Sequence, residues 1–273
     1  MTNNFYKKSY QDLKVEFSDH ILSLTLNNPS MSNAISDEMI QSLCEVLSFA
    51  DADPEVRVII LTGEGKSFCA GGDIKAMNER SGMFAGEPFE LRNCYSKGIQ
   101  RIPRTIESLQ KPIIAMVNGA AIGAGCDLVA MCDLRVCSDM AKFGETFVKL
   151  GLVPGDGGPY FLARAIGYAK AMEMYLTGKI YNSQEALSMG LVSSVFSHDD
   201  LEAQTRTLAK LISTNAPAAV QLTKTAMKRA MKDDLDSHLN MMSAYQGISQ
   251  RTNDHFEAID AFLNKRNPEF RGE

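Results

Sequence analysis

The spacing of hydrophobic positions changes character several times along the chain. Leu13, Val15 and Phe17 alternate with polar residues, as do Leu22, Leu24 and Leu26, and Ser18-Asp19-His20 separates the two runs. Period-two alternation broken by turn residues predicts a strand–turn–strand opening. Ser36, followed by Asp37 and Glu38, predicts a capped helix to about Ala50, stopped by Asp53-Pro54. Val56 to Leu61 is an apolar run with one arginine and reads as a buried strand. Residues 74–90 mix Met77, Met83, Phe84 and Phe89 with Gly82, Gly86 and Pro88, a composition that suits a mobile lid or pocket wall better than regular structure. A helix from about Glu90 to Leu109, interrupted near Pro103, comes next. Then follow a strand at Ile113–Val117, a glycine turn, a helix from Asp127 to Met131 and a strand from Asp133 to Cys137. A second glycine knot precedes a helix at 159–166. From Tyr168 onward the pattern is almost entirely helical, with breaks at Thr177-Gly178, Gly190 and Ala216-Pro217.

Short apolar strands alternating with helices predict an α/β layered core with parallel strands. In the helical third, Met227, Ala230 and Met231 make an apolar face, while Lys224, Lys228 and Lys232 form a basic stripe at i, i+4 spacing. Such a stripe reads first as a solvated face and second as a phosphate contact.

With 273 residues, 45% of them hydrophobic, the chain can form one large domain or a main domain with an appendage. No window approaches the roughly 18 apolar residues of a membrane span. Met1 to Tyr10 is polar with two lysines, so no secretory signal is expected there. A net charge of −5 argues against nucleic acid as the main partner. The six cysteines include no Cys-x-x-Cys pair, and most, such as Cys69, Cys126, Cys132 and Cys137, have apolar neighbours. Reduced thiols in a cytoplasmic protein are expected.

The chemistry is carried by two glycine turns, each after an apolar strand: Ala70-Gly71-Gly72-Asp73 and Gly123-Ala124-Gly125-Cys126-Asp127. The second leads into a helix, whose first N–H groups lack partners and whose dipole is positive. If the two strands are neighbours, one N–H from each turn can converge on a single oxygen. That is an oxyanion hole, which stabilises charge developing on a carbonyl; two ordinary tight turns are the alternative. Asp127 would hang over the same spot. Other motifs fail. Gly65-Lys66-Ser67 resembles a phosphate-binding loop, but the glycine required five places earlier is Ile60. The third glycine of a dinucleotide fingerprint is Leu128. No Gly-x-Ser-x-Gly elbow occurs. His20, His198, His238 and His255 lie in polar segments without metal-ligand spacing, so no metal is expected.

Ser67-Phe68-Cys69-Ala70-Gly71-Gly72-Asp73-Ile74-Lys75, Asn118-Gly119 with Gly123-Ala124-Gly125-Cys126-Asp127, and Gly151-Leu152-Val153-Pro154-Gly155-x-Gly157-Gly158 together resemble the crotonase (enoyl-CoA hydratase/isomerase) family. Leu176-Thr177-Gly178, Gly190-Leu191-Val192 and the tail Ala261-Phe262-Leu263-Asn264-Lys265-Arg266 match as well, so the resemblance spans about residues 12 to 270. It implies a spiral of ββα units, here residues 1–200, followed by a helical trimerisation region, here 201–273, assembled as a trimer or dimer of trimers. It also implies an acyl-CoA thioester substrate, with coenzyme A entering as part of the substrate and no cofactor, and stabilisation of a thioester enolate. By position, the N–H groups of Gly72 and Ala124 would be the oxyanion donors. Ala70, Asp73, Ile74 and Lys75 would line the path of the adenine and pantetheine. Phe147 would line the substrate site, and Phe262 and Lys265 would meet CoA, commonly from a neighbouring subunit.

The departures concern the acids. A typical hydratase of the family carries two glutamates; here the first position is Asp127, one methylene shorter, and the second is Phe147, which cannot move a proton. Glu145 and Asp156 are nearby carboxylates, Asp156 in a turn where some family isomerases place an acid. If residues 142–147 are extended, Glu145 and Phe147 point the same way. The expectation is Asp127 as principal acid/base with Glu145 or Asp156 secondary. The resulting function is hydration of a 2-enoyl-CoA, slow for simple crotonyl-CoA. A single-acid double-bond isomerase and a non-catalytic acyl-CoA-binding homologue are the alternatives.

Overall fold

The computed structural model describes residues 5–273; the first four residues of the polar N-terminal stretch lie outside the described residues. Strands β1 (Leu13–Ser18) and β2 (Ile21–Leu26) pair antiparallel with Ser18 opposite Ile21. Between them Asp19 and His20 both have positive φ, 52° and 64°, as a two-residue hairpin turn with the sheet's twist requires. Helix α1 (Asp37–Ala52) starts where the sequence predicts: the Ser36 side chain accepts the Met39 N–H, and Asp53 ends the helix.

The long strand–short strand–helix unit then recurs. The first copy is β3 (Val58–Gly63), β4 (Ser67–Cys69) and α2 (Ile74–Glu79). After α3 (Pro88–Lys97) and α4 (Arg101–Ser108), the second is β5 (Ile113–Val117), β6 (Ala120–Ile122) and α5 (Ala124–Met131). The third is β7 (Leu134–Ser138), β8 (Lys142–Gly144), a 3-10 turn over Phe147–Leu150, and α6 (Gly158–Ile166). Helix α7 (Tyr168–Thr177), β9 (Ile180–Asn182), α8 (Ser183–Ser188) and β10 (Ser194–Phe196) close the spiral. The tail is α9 (Leu201–Ser213), α10 (Pro217–Ala230), α11 (Leu235–Ser249) and α12 (Asn253–Leu263).

The long strands form a six-stranded sheet in the order β1-β2-β3-β5-β7-β10, parallel from β2 onward. The short strands form a second sheet, β4-β6-β8-β9, with only β8/β9 antiparallel. Successive side chains of a strand face opposite ways, so Val58–Leu61 of β3 is an unbroken apolar run because both its faces are covered. Ile59 and Leu61 join the main core under α1 and α5, while Val58 and Ile60 meet Leu201 and Ala209 of α9. Asn118 ties the bends between long and short strands together, donating to the Gly65 carbonyl at 2.9 Å and accepting from the Gly63 N–H at 3.2 Å.

Several local expectations are corrected. Residues 74–90 are more regular than their composition suggests, because Asp73 caps α2 and a Glu87/Glu90 capping box with Pro88 starts α3. The interruption near Pro103 falls at Gly98 instead; Pro103 sits in the first turn of α4, where its missing N–H costs nothing. Strand β6 occupies what reads as pure turn, and β9 and β10 interrupt the helical third. At three residues each, such strands carry too little periodicity to be seen. Lys224 and Lys228 of the lysine stripe are drawn in, while Lys232 stays exposed: Lys224 Nζ is 2.6 Å from Asp133 Oδ2 and donates to the Lys111 carbonyl at 2.7 Å. Lys228 donates to the Ile106 and Glu107 carbonyls, and Lys232 pairs with Glu107 at 2.6 Å. Lys228 and Lys232 fasten the end of α10 to the C-terminal end of α4, where carbonyls lack partners and the dipole is negative.

Candidate active site

Strands β4 and β6 are parallel neighbours, with Ser67 opposite Ala120, so the glycine turns at their C-terminal ends lie side by side. The contact is close. Gly71 has φ 88°, and a Cβ there would come within 2.6 Å of the Ile122 carbonyl and 3.3 Å of the Ala124 nitrogen. Only glycine fits that conformation and that gap. Ile35 N–H donates to the Gly71 carbonyl and holds the first turn from behind. The N–H groups of Gly72 and Ala124 have no protein acceptor among the described residues. Both turns therefore offer free donors to one place, with the positive end of α5 behind the second.

That place is the floor of a cleft. Its walls are Ile35 and Ile74, Met77, Met83 and Phe84 from the α2 region, Tyr95 and Ile99, and Phe147, Leu150, Leu152 and Val153. The segment predicted as lid or pocket wall does supply one wall. Phe147 lies over the second turn, its ring 3.7 Å from where a Cβ on Gly123 would be. Ala70 and Ile74 line the cleft. Asp73 caps α2 through the Lys75 and Ala76 N–H groups and does not line it, and the Lys75 side chain projects into solvent. Phe262 is 84% exposed on α12; neither it nor Lys265 borders the cleft of this chain.

The acids are arranged differently from the expectation. Asp127 is fully buried and does not hang over the turns. It packs under Gly158 at the start of α6, so closely that a Cβ on Gly158 would overlap its carboxyl. Tyr175, on the buried face of α7, donates its hydroxyl to Asp127 Oδ1 at 2.5 Å. Residues 142–147 are not extended throughout: β8 ends at Gly144, Thr146 has ψ 7°, and the 3-10 turn begins at Phe147. Glu145 and Phe147 therefore part company. Phe147 faces the cleft, and Glu145 is fully buried behind it beside Cys126 and Asp127. Among the described residues, Asp156 is the only carboxyl residue lining the cleft.

These three carboxyls form one cluster without a cation: none of the ion pairs among the described residues includes them. Burial disfavours their charged forms. It raises Asp127 well above the ordinary carboxyl range, reinforced by Glu145 and then Asp156. Burial also pushes Glu145 up to about 8 and raises Asp156. An acid at a cleft whose neutral form is favoured by burial is suited to proton transfer. Tyr95 and Tyr175 were not foreseen. The sequence signal for Tyr175 was a hydroxyl on the apolar Ala171, Met174, Tyr175 face of α7, where a buried phenol needs a partner.

A family model described as enoyl-CoA hydratase/isomerase matches residues 16–273. The chain belongs to the enoyl-CoA hydratase/isomerase family. It is 36% identical to a probable enoyl-CoA hydratase of Mycobacterium tuberculosis over 262 residues, covering 96% of this chain and 98% of the relative. It is 34% identical to the 1,2-epoxyphenylacetyl-CoA isomerase of Escherichia coli, covering 92% and 95%. The enoyl-CoA hydratase crystal structure from Bacillus anthracis superposes with a TM-score of 0.90 at 34% identity, over 96% of this chain and all of that one. The ββα spiral and helical tail are thus the crotonase fold that the motifs implied.

Proposed function

We propose that this chain is a crotonase-type acyl-CoA enzyme that hydrates a 2-enoyl-CoA. The observation that carries the reading is the pair of unpartnered amides, Gly72 and Ala124, opening on an apolar cleft with one acid, Asp156. The thioester oxygen accepts both N–H groups, and the negative charge that forms there on attack at C3 is held as an enolate. Asp156 takes a proton from the attacking water and delivers one to C2, so that water adds across the double bond. Asp156, and not Asp127, is the acid in contact with substrate; Asp127 and Glu145 act behind it.

Coenzyme A enters as part of the substrate, with the pantetheine passing Ala70 and Ile74, Lys75 at the rim, and Phe262 and Lys265 supplied by a neighbouring copy. The reading needs no cofactor. A homo-oligomer, trimer or hexamer, is supported by the apolar side chains that α11 and α12 leave exposed, among them Leu235, Leu239, Phe256, Phe262 and Leu263.

One feature favours a second reading, double-bond isomerisation: Phe147 makes the cleft wall apolar where a second glutamate would orient water. Asp156 alone could move a proton from C2 to C4 of a 3-enoyl-CoA. Incubation with crotonyl-CoA, a longer 2-enoyl-CoA and a 3-enoyl-CoA, with products analysed by mass and NMR, tests both. Addition of one water to a 2-enoyl-CoA is the expected result. Conversion of the 3-enoyl-CoA alone establishes the isomerase, and tight binding without turnover establishes the non-catalytic homologue.

A further inference from the structure

Three polar side chains line the otherwise apolar cleft: Tyr95, Thr146 and Asp156. Asp156 is buried, and its Oδ1 meets no protein partner among the described residues. The half-buried Tyr95 hydroxyl likewise has none; burial, and then the charge of Asp156, raise this phenol above its ordinary range. Two other phenols nearby are satisfied, Tyr175 donating to Asp127 at 2.5 Å and Tyr181 to Glu173 at 2.9 Å. A buried phenol normally finds a partner, so the partner of Tyr95 must enter through the cleft.

Packing sets Tyr95 beside Asp156. The edge of its ring lies against Gly155, the residue before the acid. A Cβ on Gly155 would come within 2.7 Å of Tyr95 Cε1, and Cζ, which carries the hydroxyl, is 3.7 Å from that point. Gln100 fixes the contact: its side-chain N–H donates to the Gly155 carbonyl at 2.8 Å, and its backbone N–H donates to the Tyr95 carbonyl at 3.1 Å. Thr146 instead leads into Phe147, whose ring makes that part of the wall apolar. A water in a largely apolar site needs at least two polar partners. Asp156 is one, and Tyr95 is placed to be the other.

We propose that Tyr95 is a catalytic residue for hydration: its hydroxyl oxygen and the Asp156 carboxylate hold the attacking water between them. The water gives one O–H to the carboxylate and the other to the phenol oxygen, which leaves a lone pair for C3. As the C3–O bond forms, the first proton passes to Asp156 and the second stays on oxygen as the product hydroxyl. The electron pair of the C2=C3 bond moves onto the thioester oxygen, and C2 then takes its proton from Asp156. Tyr95 neither gains nor loses a proton. The role rests on the reading that this chain hydrates a 2-enoyl-CoA through Asp156, and it gives the water the second partner that Phe147 cannot be.

The test uses Tyr95→Phe, which keeps the ring against Gly155 and removes only the oxygen. Two reactions are compared: addition of water to a 2-enoyl-CoA, and exchange of the C2 hydrogen of the saturated acyl-CoA with D2O, followed by NMR. Exchange uses the Gly72 and Ala124 amides and Asp156 but no attacking water. Tyr95→Phe should lower kcat for hydration about five- to tenfold, the weight of one ordinary hydrogen bond, with KM and the exchange rate unchanged. Equal hydration by wild type and Tyr95→Phe overturns the proposal, and a loss in Thr146→Val would then place the water on that side. A proportional loss of hydration and exchange also overturns it and makes Tyr95 a support for the Gly155 turn. A rise in KM alone overturns it and makes Tyr95 an acyl contact. A wild type that exchanges the C2 hydrogen but adds no water to any 2-enoyl-CoA defeats the hydration reading itself, and this role with it, before any variant is made.

Discussion

Along α10, Lys224 and Lys228 are drawn into the protein beside acids and carbonyls, whereas behind the cleft Asp127, Glu145 and Asp156 are drawn in beside one another. In the first region each buried charge has an opposite charge or a helix end facing it. The ammonium groups there replace water with Asp133, Glu107 and the last carbonyls of α4, which makes them part of the packing. In the second region the burial is of like groups with one phenol as donor, an arrangement that works against folding whenever more than one of them ionises. Buried charge that is compensated does structural work. Buried acid that is uncompensated, and opens through one member onto a cleft, is a store of exchangeable protons.

Replacing single members should separate the two regions. The largest effect expected is on Asp156→Asn, which removes the acid that faces the cleft and should lower kcat/KM by about 10²–10⁴, the usual range for a general acid–base group. Circular dichroism should show an intact fold, and a comparable loss in Asp127→Asn would move the substrate-facing role to Asp127.

The pH dependence of stability comes next. Glu145 titrates at about 8 in the folded chain against 4.5 ordinarily, so the folded state keeps a proton that the unfolded chain releases. This contribution to stability is therefore complete below about pH 4.5 and is lost as pH rises toward 8, the reverse of a salt-bridged carboxylate. The slope is up to about 1.4 kcal/mol per pH unit. Urea titrations of wild type and Glu145→Gln at pH 5, 6 and 7 should show a stability difference that changes with pH in this direction; parallel curves would mean that Glu145 is not held protonated.

The smallest effect is expected in the other region. Lys224→Met leaves Asp133 without its partner, and because Asp133 is partly exposed the cost should be about 2 kcal/mol, below the range for a fully buried pair. It should appear as a lower urea midpoint with kcat/KM unchanged. A fall in turnover at equal stability would show that α10 reports to the cleft after all.

The family motifs and the two glycine turns were legible in the sequence because they are local: a turn of positive φ, a helix start and a strand end each leave a mark within a few residues. The hairpin around Asp19-His20, the Ser36 cap and the parallel core were legible for the same reason. Whether Gly72 and Ala124 face one point depended on β4 lying beside β6, which β6's three residues do not announce. The acids depended on tertiary structure still more. Asp127 sits at the right place in sequence, yet the start of α6 folds over it and Gly158 closes the gap, so the residue nearest the turn along the chain is walled off. Glu145 and Phe147 would share a side only if the strand continued, and it ends at Gly144. The lysines of α10 look solvated in a helical projection because the acids and carbonyls that meet them come from segments about a hundred residues earlier. Periodicity fixes which way a side chain leaves its own helix or strand, but what waits there, water, a counter-ion or another acid, is set by contacts remote in sequence.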